Sequence, residues 1–292
     1  MVKQTDFRAT YPLISISVVV MRRHLLQKMT ELLHEKLSYD VRGVLFDVHN
    51  KLGPMLPEQL YNQAVAIGLE KQGIDCQTEK EFEVTFRGVQ VGRYAVDVWV
   101  EGGQLLLELK VAPQIGPLHQ AQAISYLKVT DADLAFVVNF GEERVAIKRL
   151  PNFVRDKSVT FAWQAQPVPA GMLYPDLVNQ LLSVLHSVYF HLGPGFLHQI
   201  YRRATMVELS QQDVGYEYIK HIPIFYQQHH LSDQAVRLIA VEGQTLVATV
   251  AMQKVTEAMK QQLRARMRYL DYNLGLIANF HGTELETVFV RG

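Results

Sequence analysis

Apolar residues recur at helical spacing from Leu37 to Leu52, at Val41, Val44, Leu45, Val48 and Leu52, and the run stops at Gly53-Pro54. A second helix is expected from Pro57, which suits a first turn, through Tyr61, Val65 and Leu69 to about Gln72, with Gly73 ending it. The period then changes. Phe82 to Phe86 alternates as a strand, Arg87-Gly88 reads as a hairpin turn, and Val91 to Val100 and Leu105 to Val111 form two strands around Glu101-Gly102-Gly103. A helix over His119 to Val129 and strands over Leu134 to Asn139 and Arg144 to Arg149 complete the unit. Mixed strands with helices on both sides give an α/β sandwich.

The pattern occurs twice. His49-Asn-Lys-Leu-Gly-Pro54 and Tyr189-Phe-His-Leu-Gly-Pro194 lie 140 positions apart. At the same offset Gln59-Leu-Tyr61 matches Gln199-Ile-Tyr201, Ala95-Val96 matches Ala235-Val236, and Asn139-Phe140 matches Asn279-Phe280. Val100-Glu-Gly102 matches Val241-Glu-Gly243 after a one-residue slip. An ordered series over about a hundred positions is a tandem duplication. The expected organisation is a leader over 1–28, a first domain over 29–150, a linker over 151–175 and a second domain over 176–292. The linker carries Pro151, Pro167, Pro169 and Pro175, which interrupt regular structure.

At 292 residues the chain has room for two domains, each with its own core. Twenty-nine basic and twenty-nine acidic residues balance, so a nucleic-acid partner needs a local patch. The single cysteine, Cys76, excludes an intramolecular disulfide and a cysteine-based zinc cluster, and fits a cytoplasmic protein. Leu13 to Met21 is too short to span a bilayer, and the arginines following it are in the wrong order for a signal peptide, so no membrane is expected. This β-branched run would make an extra strand or, as preferred here, part of a poorly ordered leader.

The chemistry gathers in Asp97-Val-Trp-Val-Glu-Gly-Gly-Gln-Leu-Leu-Leu-Glu108-Leu-Lys110. Adjacent strands bring Asp97 near Glu108, and a period of two puts Glu108 and Lys110 on one face with Leu107 and Leu109 in the core. Two carboxylates and an ammonium are costly on a central strand, and Mg2+ or Mn2+ resolves the cost. Such an ion polarises a phosphoryl oxygen, while Lys110 orients water or steadies developing charge. An exposed hairpin with an ordinary Glu–Lys pair is the competing reading of this pattern alone. Three further residues favour the metal: Glu58, early on a helix, adds a carboxylate, and Gln122 and Tyr126 share a helix face where they could bond a phosphate or a metal-bound water.

The run Val48-His-Asn-Lys-Leu-Gly-Pro-Met-Leu-Pro-Glu58-Gln-Leu-Tyr61 resembles the GxxExxY proteins of the PD-(D/E)XK nuclease superfamily. The resemblance continues through Gly92-Arg-Tyr-Ala-Val-Asp97, Leu107-Glu-Leu-Lys110, His119-Gln-Ala-Gln122-Ala-Ile-Ser-Tyr126 and Val138-Asn-Phe-Gly141. It implies two tandem restriction-endonuclease-like domains, a divalent metal at Asp97 and Glu108, and Lys110 as the catalytic lysine. Glu58 takes the place of the signature glutamate, as a further ligand, and Tyr61 that of the signature tyrosine, on the substrate side. Gln122 and Tyr126 match a Gln-x-x-x-Tyr element of RecB-like members. Met55 replaces the signature glycine, which puts the turn before Glu58 in question.

The second copy is expected to be degenerate. His198 replaces Glu58 and Arg237 replaces Asp97, with Thr249 and Ala251 (or, without the slip, Ala248 and Val250) at Glu108 and Lys110. Ala265 and Tyr269 are paired with Gln122 and Tyr126. Lys260 and Arg264, near Arg266 and Arg268, would bind phosphate unless they form an ordinary solvated face. The leading expectation is a metal-dependent nuclease, acting on DNA through the first copy, with the second binding nucleic acid or completing a pseudo-dimer within the chain; a homo-oligomer is the other possible assembly. The alternatives are a non-catalytic nucleic-acid-binding or assembly protein on a nuclease scaffold, and a structural partner in a larger complex.

Overall fold

The computed structural model describes residues 7–10, 33–152, 160–165 and 167–292. Leu13 to Met21 lies outside them. The described residues form two compact units, one of 33–84 with 93–152 and the other of 7–10, 85–92, 160–165 and 167–292.

The first unit begins with α1 (Glu35–Leu52) and α2 (Glu58–Lys71). The strands that follow are β2 (Cys76–Phe86), β3 (Val89–Val100) and β4 (Leu105–Lys110), then α3 (Pro117–Thr130), β5 (Leu134–Asn139) and β6 (Ala146–Pro151). They make one five-stranded sheet in the order β2-β3-β4-β5-β6, with β4 parallel to β5 and antiparallel to β3. The parallel pair needs a crossover, and α3 supplies it. Leu105, Leu107 and Leu109 of β4 enter a core with Val41 and Leu45 of α1, Tyr61, Val65 and Leu69 of α2, and Phe136 and Val138 of β5. Alternation leaves Glu108 on the opposite face.

The second unit repeats the plan. Its elements are α4 (Pro175–Leu192), α5 (His198–Gln211), β7 (Tyr216–Tyr226), β8 (His229–Val241), β9 (Thr245–Val250), α6 (Glu257–Leu270), β10 (Leu274–Asn279) and β11 (Glu286–Arg291). With β1 (Phe7–Thr10) at one edge, the sheet order is β1-β11-β10-β9-β8-β7, again with its central pair, β9 and β10, parallel. The sixth strand, β1, pairs antiparallel with β11, so these residues of the expected leader belong to a sheet. Part of the expected linker packs on α4, with Trp163 stacked on His186 and Phe161 beside Phe190. His221 stands on β7, and His229 and His230 open β8.

The tip of the β2–β3 hairpin groups with this second unit. Arg87 donates to both oxygens of Glu208, at 3.1 and 3.3 Å, and to Ser187 at 3.3 Å. Gly92 lies so close to Ile200 that a Cβ there would come within 2.5 Å of its Cγ1.

Candidate active site

In the first unit β3 and β4 pair from Val98–Leu107 to Val100–Leu105. Just beyond that stretch, the Asp97 carboxylate accepts the Leu109 amide at 2.7 Å. Asp97 thereby reaches across to the chain that carries Glu108 and Lys110. Glu108 is 2% exposed, and its Oε1 accepts from Lys110 Nζ at 2.6 Å, the same-face contact expected two residues apart on a strand. Its Oε2 has no hydrogen-bond partner.

Glu58 opens α2, and its Oε1 accepts the Val111 amide at 3.1 Å, one residue past Lys110. The turn that presents it survives the loss of its glycine. Met55 adopts a left-handed φ of 69° and is exposed, in the place where the second unit has Gly195 at φ 115°. Tyr61 holds this turn. It is fully buried, stacks on Phe140, donates to Gly53 O at 2.6 Å and accepts from Leu56 N at 3.1 Å. Ring and hydroxyl are thus both engaged within the protein. Tyr126 is 3% exposed and stacked on Tyr94 at 4.1 Å, so it too faces the protein interior rather than solvent. Gln122 stands half-buried one turn before it. Lys260 and Arg264 lie on α6 of the second unit, and Lys260 pairs with Glu257 at 2.7 Å.

Electrostatics tie the first group together. Burial pushes Glu108 up to about 7, reinforced by Asp97 and opposed by Lys110. Burial also raises Asp97, although the Leu109 amide and Lys110 pull it back. Burial alone would lower Lys110, but Glu108, Asp97 and Glu58 outweigh it and hold the ammonium above its ordinary value. Three carboxylates share one half-buried cation, so the cluster carries excess negative charge.

Three neighbours escaped the sequence reading. Asn62, 8% exposed, hydrogen-bonds Asp97. It lies four residues after Glu58, and that helical spacing was the available signal. Burial raises Tyr94, with Glu108 next in effect; burial lowers His119, with Lys110 next. His119 precedes Gln122 by three residues, on the same helix face.

Among the described residues, no group of three or more His, Cys, Asp or Glu side chains is drawn together so as to hold a metal ion. Asp97, Glu108 and Glu58, the expected trio, are thus not drawn into one such group. Mg2+, however, commonly takes one or two carboxylates and keeps several waters. An unpartnered buried oxygen on Glu108, with Asp97 close enough to raise its pKa, fits such a hard cation.

The sequence pattern of the PD-(D/E)XK nuclease superfamily matches residues 35–150 and again 175–291. The chain belongs to that superfamily. Both matches fall on the two α/β units, so two tandem PD-(D/E)XK domains make up the protein. A crystal structure of a protein called SSO0001 is similar over 44% of this chain and 61% of its own, at 20% identity and a TM-score of 0.25. No curated protein matches. Divalent metals are general in PD-(D/E)XK nucleases, and nucleic acid is the partner the superfamily implies. Among the described residues no helix is long and apolar enough to cross a membrane.

Strand registers give the second PD-(D/E)XK domain's equivalents. Lys110 pairs with Asn139, and Val250 with Asn279, so Ala248 and Val250 replace Glu108 and Lys110. The Thr249 and Ala251 assignment is corrected, because the one-residue slip is confined to β8 and the turn after it. Val236 and Arg237 together face Lys220, between the pairs Ile219–Leu238 and His221–Ala235. The following turn is one residue shorter, which restores the offset at β9. Arg237 is the bulged residue at φ 54°, and Leu238 stands in Asp97's register. Leu238 belongs to an apolar core, against which Ala248 and Val250 pack. The α6 helix ends at Asp271 as α3 ends at Asp131, so Gln262 and Arg266, not Ala265 and Tyr269, correspond to Gln122 and Tyr126.

Proposed function

We propose that this protein is a metal-dependent nuclease of the GxxExxY type, whose first PD-(D/E)XK domain hydrolyses phosphodiester bonds, with DNA the favoured substrate. The observation that carries the reading is Glu108, buried and with an unpartnered oxygen, beside Asp97 and Lys110. Asp97 and Glu108 would hold Mg2+ or Mn2+, with Glu58 adding negative charge nearby. Bound there, the ion supplies Lewis acidity toward a phosphoryl oxygen and a more acidic water. Lys110, kept charged by three carboxylates, steadies negative charge on the phosphate and orients the attacking water. Asn62 and the Leu109 amide fix Asp97, while Tyr61 fixes the turn that places Glu58. Gln122 is assigned to the phosphate side of the site.

The second domain is read as catalytically inactive, since Leu238, Ala248 and Val250 offer neither carboxylate nor ammonium. Lys260 and Arg264 are assigned to nucleic-acid binding there. A non-catalytic binding protein is the second reading, favoured by the unclosed three-carboxylate set. Incubating single- and double-stranded DNA with Mn2+, beside an Asp97→Ala/Glu108→Ala variant, separates the two. Cleavage by the wild type that vanishes in the variant supports the enzyme. Cleavage surviving in the variant rejects this site, and binding with no cleavage from either protein supports the second reading.

A further inference from the structure

In the second unit α5 begins at His198, and Arg202 lies one turn on, on the same helix face. Arg202 is 7% exposed, yet its Nε has no hydrogen-bond partner. Its guanidinium lies 5.3 Å from the centre of the Tyr218 ring. The buried carboxylate further along the helix, Glu208, is engaged by Arg87 instead. Tyr218 also shares a side-chain hydrogen bond with Arg202, but among the described residues no carboxylate pairs with Arg202, and a buried cation so placed is costly unless an anion joins it.

The β8 bulge adds a second arginine. Arg237 is exposed and held at a left-handed φ of 54°, between two residues that point into the core. Burial lowers both His198 and Arg202, and both also feel the positive charge of Arg237. The three groups thus lie within electrostatic reach of one another. Leu197 offers no side-chain cap to the first turn of α5, whose amides add partial positive charge. At the corresponding places the first unit has Glu58, Asn62 and, next to the bulge position, Asp97. The acidic cluster of one copy is matched by a basic cluster in the other.

We propose that His198, Arg202 and Arg237 form a binding site for a phosphate group, which enters where the first copy gathers its carboxylates. The planar guanidinium of Arg202 suits two phosphate oxygens at once, and Arg237 closes the site from the strand side. The phosphate belongs either to a nucleic-acid backbone or to a free phosphate compound. This role goes beyond cleavage and does not need the first copy to be active.

Inorganic phosphate titrated into the full chain tests it, against chloride at equal ionic strength. The site predicts that phosphate raises Tm above the chloride control, and that Arg237→Ala and Arg202→Gln lose the rise. Arg237 is exposed, so its variant decides the matter even if Arg202→Gln folds poorly. No rise over chloride, or the same rise in Arg237→Ala, overturns the proposal. A labelled oligonucleotide, measured without divalent metal, then identifies the source. Weakening of about tenfold with a salt slope lower by about one assigns the site to the backbone. Unchanged oligonucleotide affinity beside a lost phosphate response assigns it to a free phosphate. Neither readout involves cleavage, so an inactive Asp97 site leaves the outcome untouched.

Discussion

Glu108 couples the first site to pH. Its folded pKa of about 7 lies above the ordinary carboxylate value, because burial and Asp97 penalise its charge. A raised folded value gives stability that is complete below the unfolded pKa and is lost as pH rises through the folded one. Without metal, the protein should therefore lose up to about 3 kcal/mol between pH 5 and pH 8, while Glu108→Gln should lose much less. Parallel denaturation curves for the two proteins across that range, in chelator, would remove Glu108 as the cause. The acid–acid–lysine spacing was legible because strand alternation fixes which side chains share a face. Asn62, Tyr94 and His119 were not, because neutral or commonplace residues announce nothing until packing places them beside a charge.

Among the elements, the turn from Gly53 to Glu58 is built around one phenol. Tyr61→Phe strands the Gly53 carbonyl and the Leu56 amide, which costs about 1–3 kcal/mol. Tyr201 makes the same two bonds, to Gly193 and Phe196, so Tyr201→Phe should cost a similar amount. Only Tyr61→Phe should also slow cleavage, as urea midpoints and Mn2+-dependent rates would show; equal slowing by both would deny the turn its role in placing Glu58. Helix bounds in the first copy were readable to within two residues from periodicity and from Gly53 and Gly73. The β8 bulge was not. Leu238 to Val241 is buried at every position, so alternation there cannot reveal an extra residue, and a shorter turn cancels it downstream.

For the molecule as a whole, the duplication was visible in sequence, and both PD-(D/E)XK matches follow it. The grouping of residues 85–92 with the second unit was hidden, because Arg87-Gly88 reads only as a hairpin turn. Glu208 is 3% exposed; burial alone would raise its pKa, but Arg87, Ser187 and Gln212 hold it below its ordinary value. Arg87→Ala leaves that carboxylate buried with less compensation, a loss of about 1–3 kcal/mol given the partial exposure of the arginine. Hydrogen exchange should quicken in α5 and stay unchanged in β4 and β5; unchanged α5 protection would show the contact to be dispensable. Cleavage as proposed requires cation binding in one copy alone. Anomalous scattering from a manganese-soaked crystal should show a peak about 2.0–2.6 Å from oxygens of Asp97 and Glu108, and none beside Ala248. An empty map between those two acids, in a crystal saturated with the ion at pH 8, would contradict it.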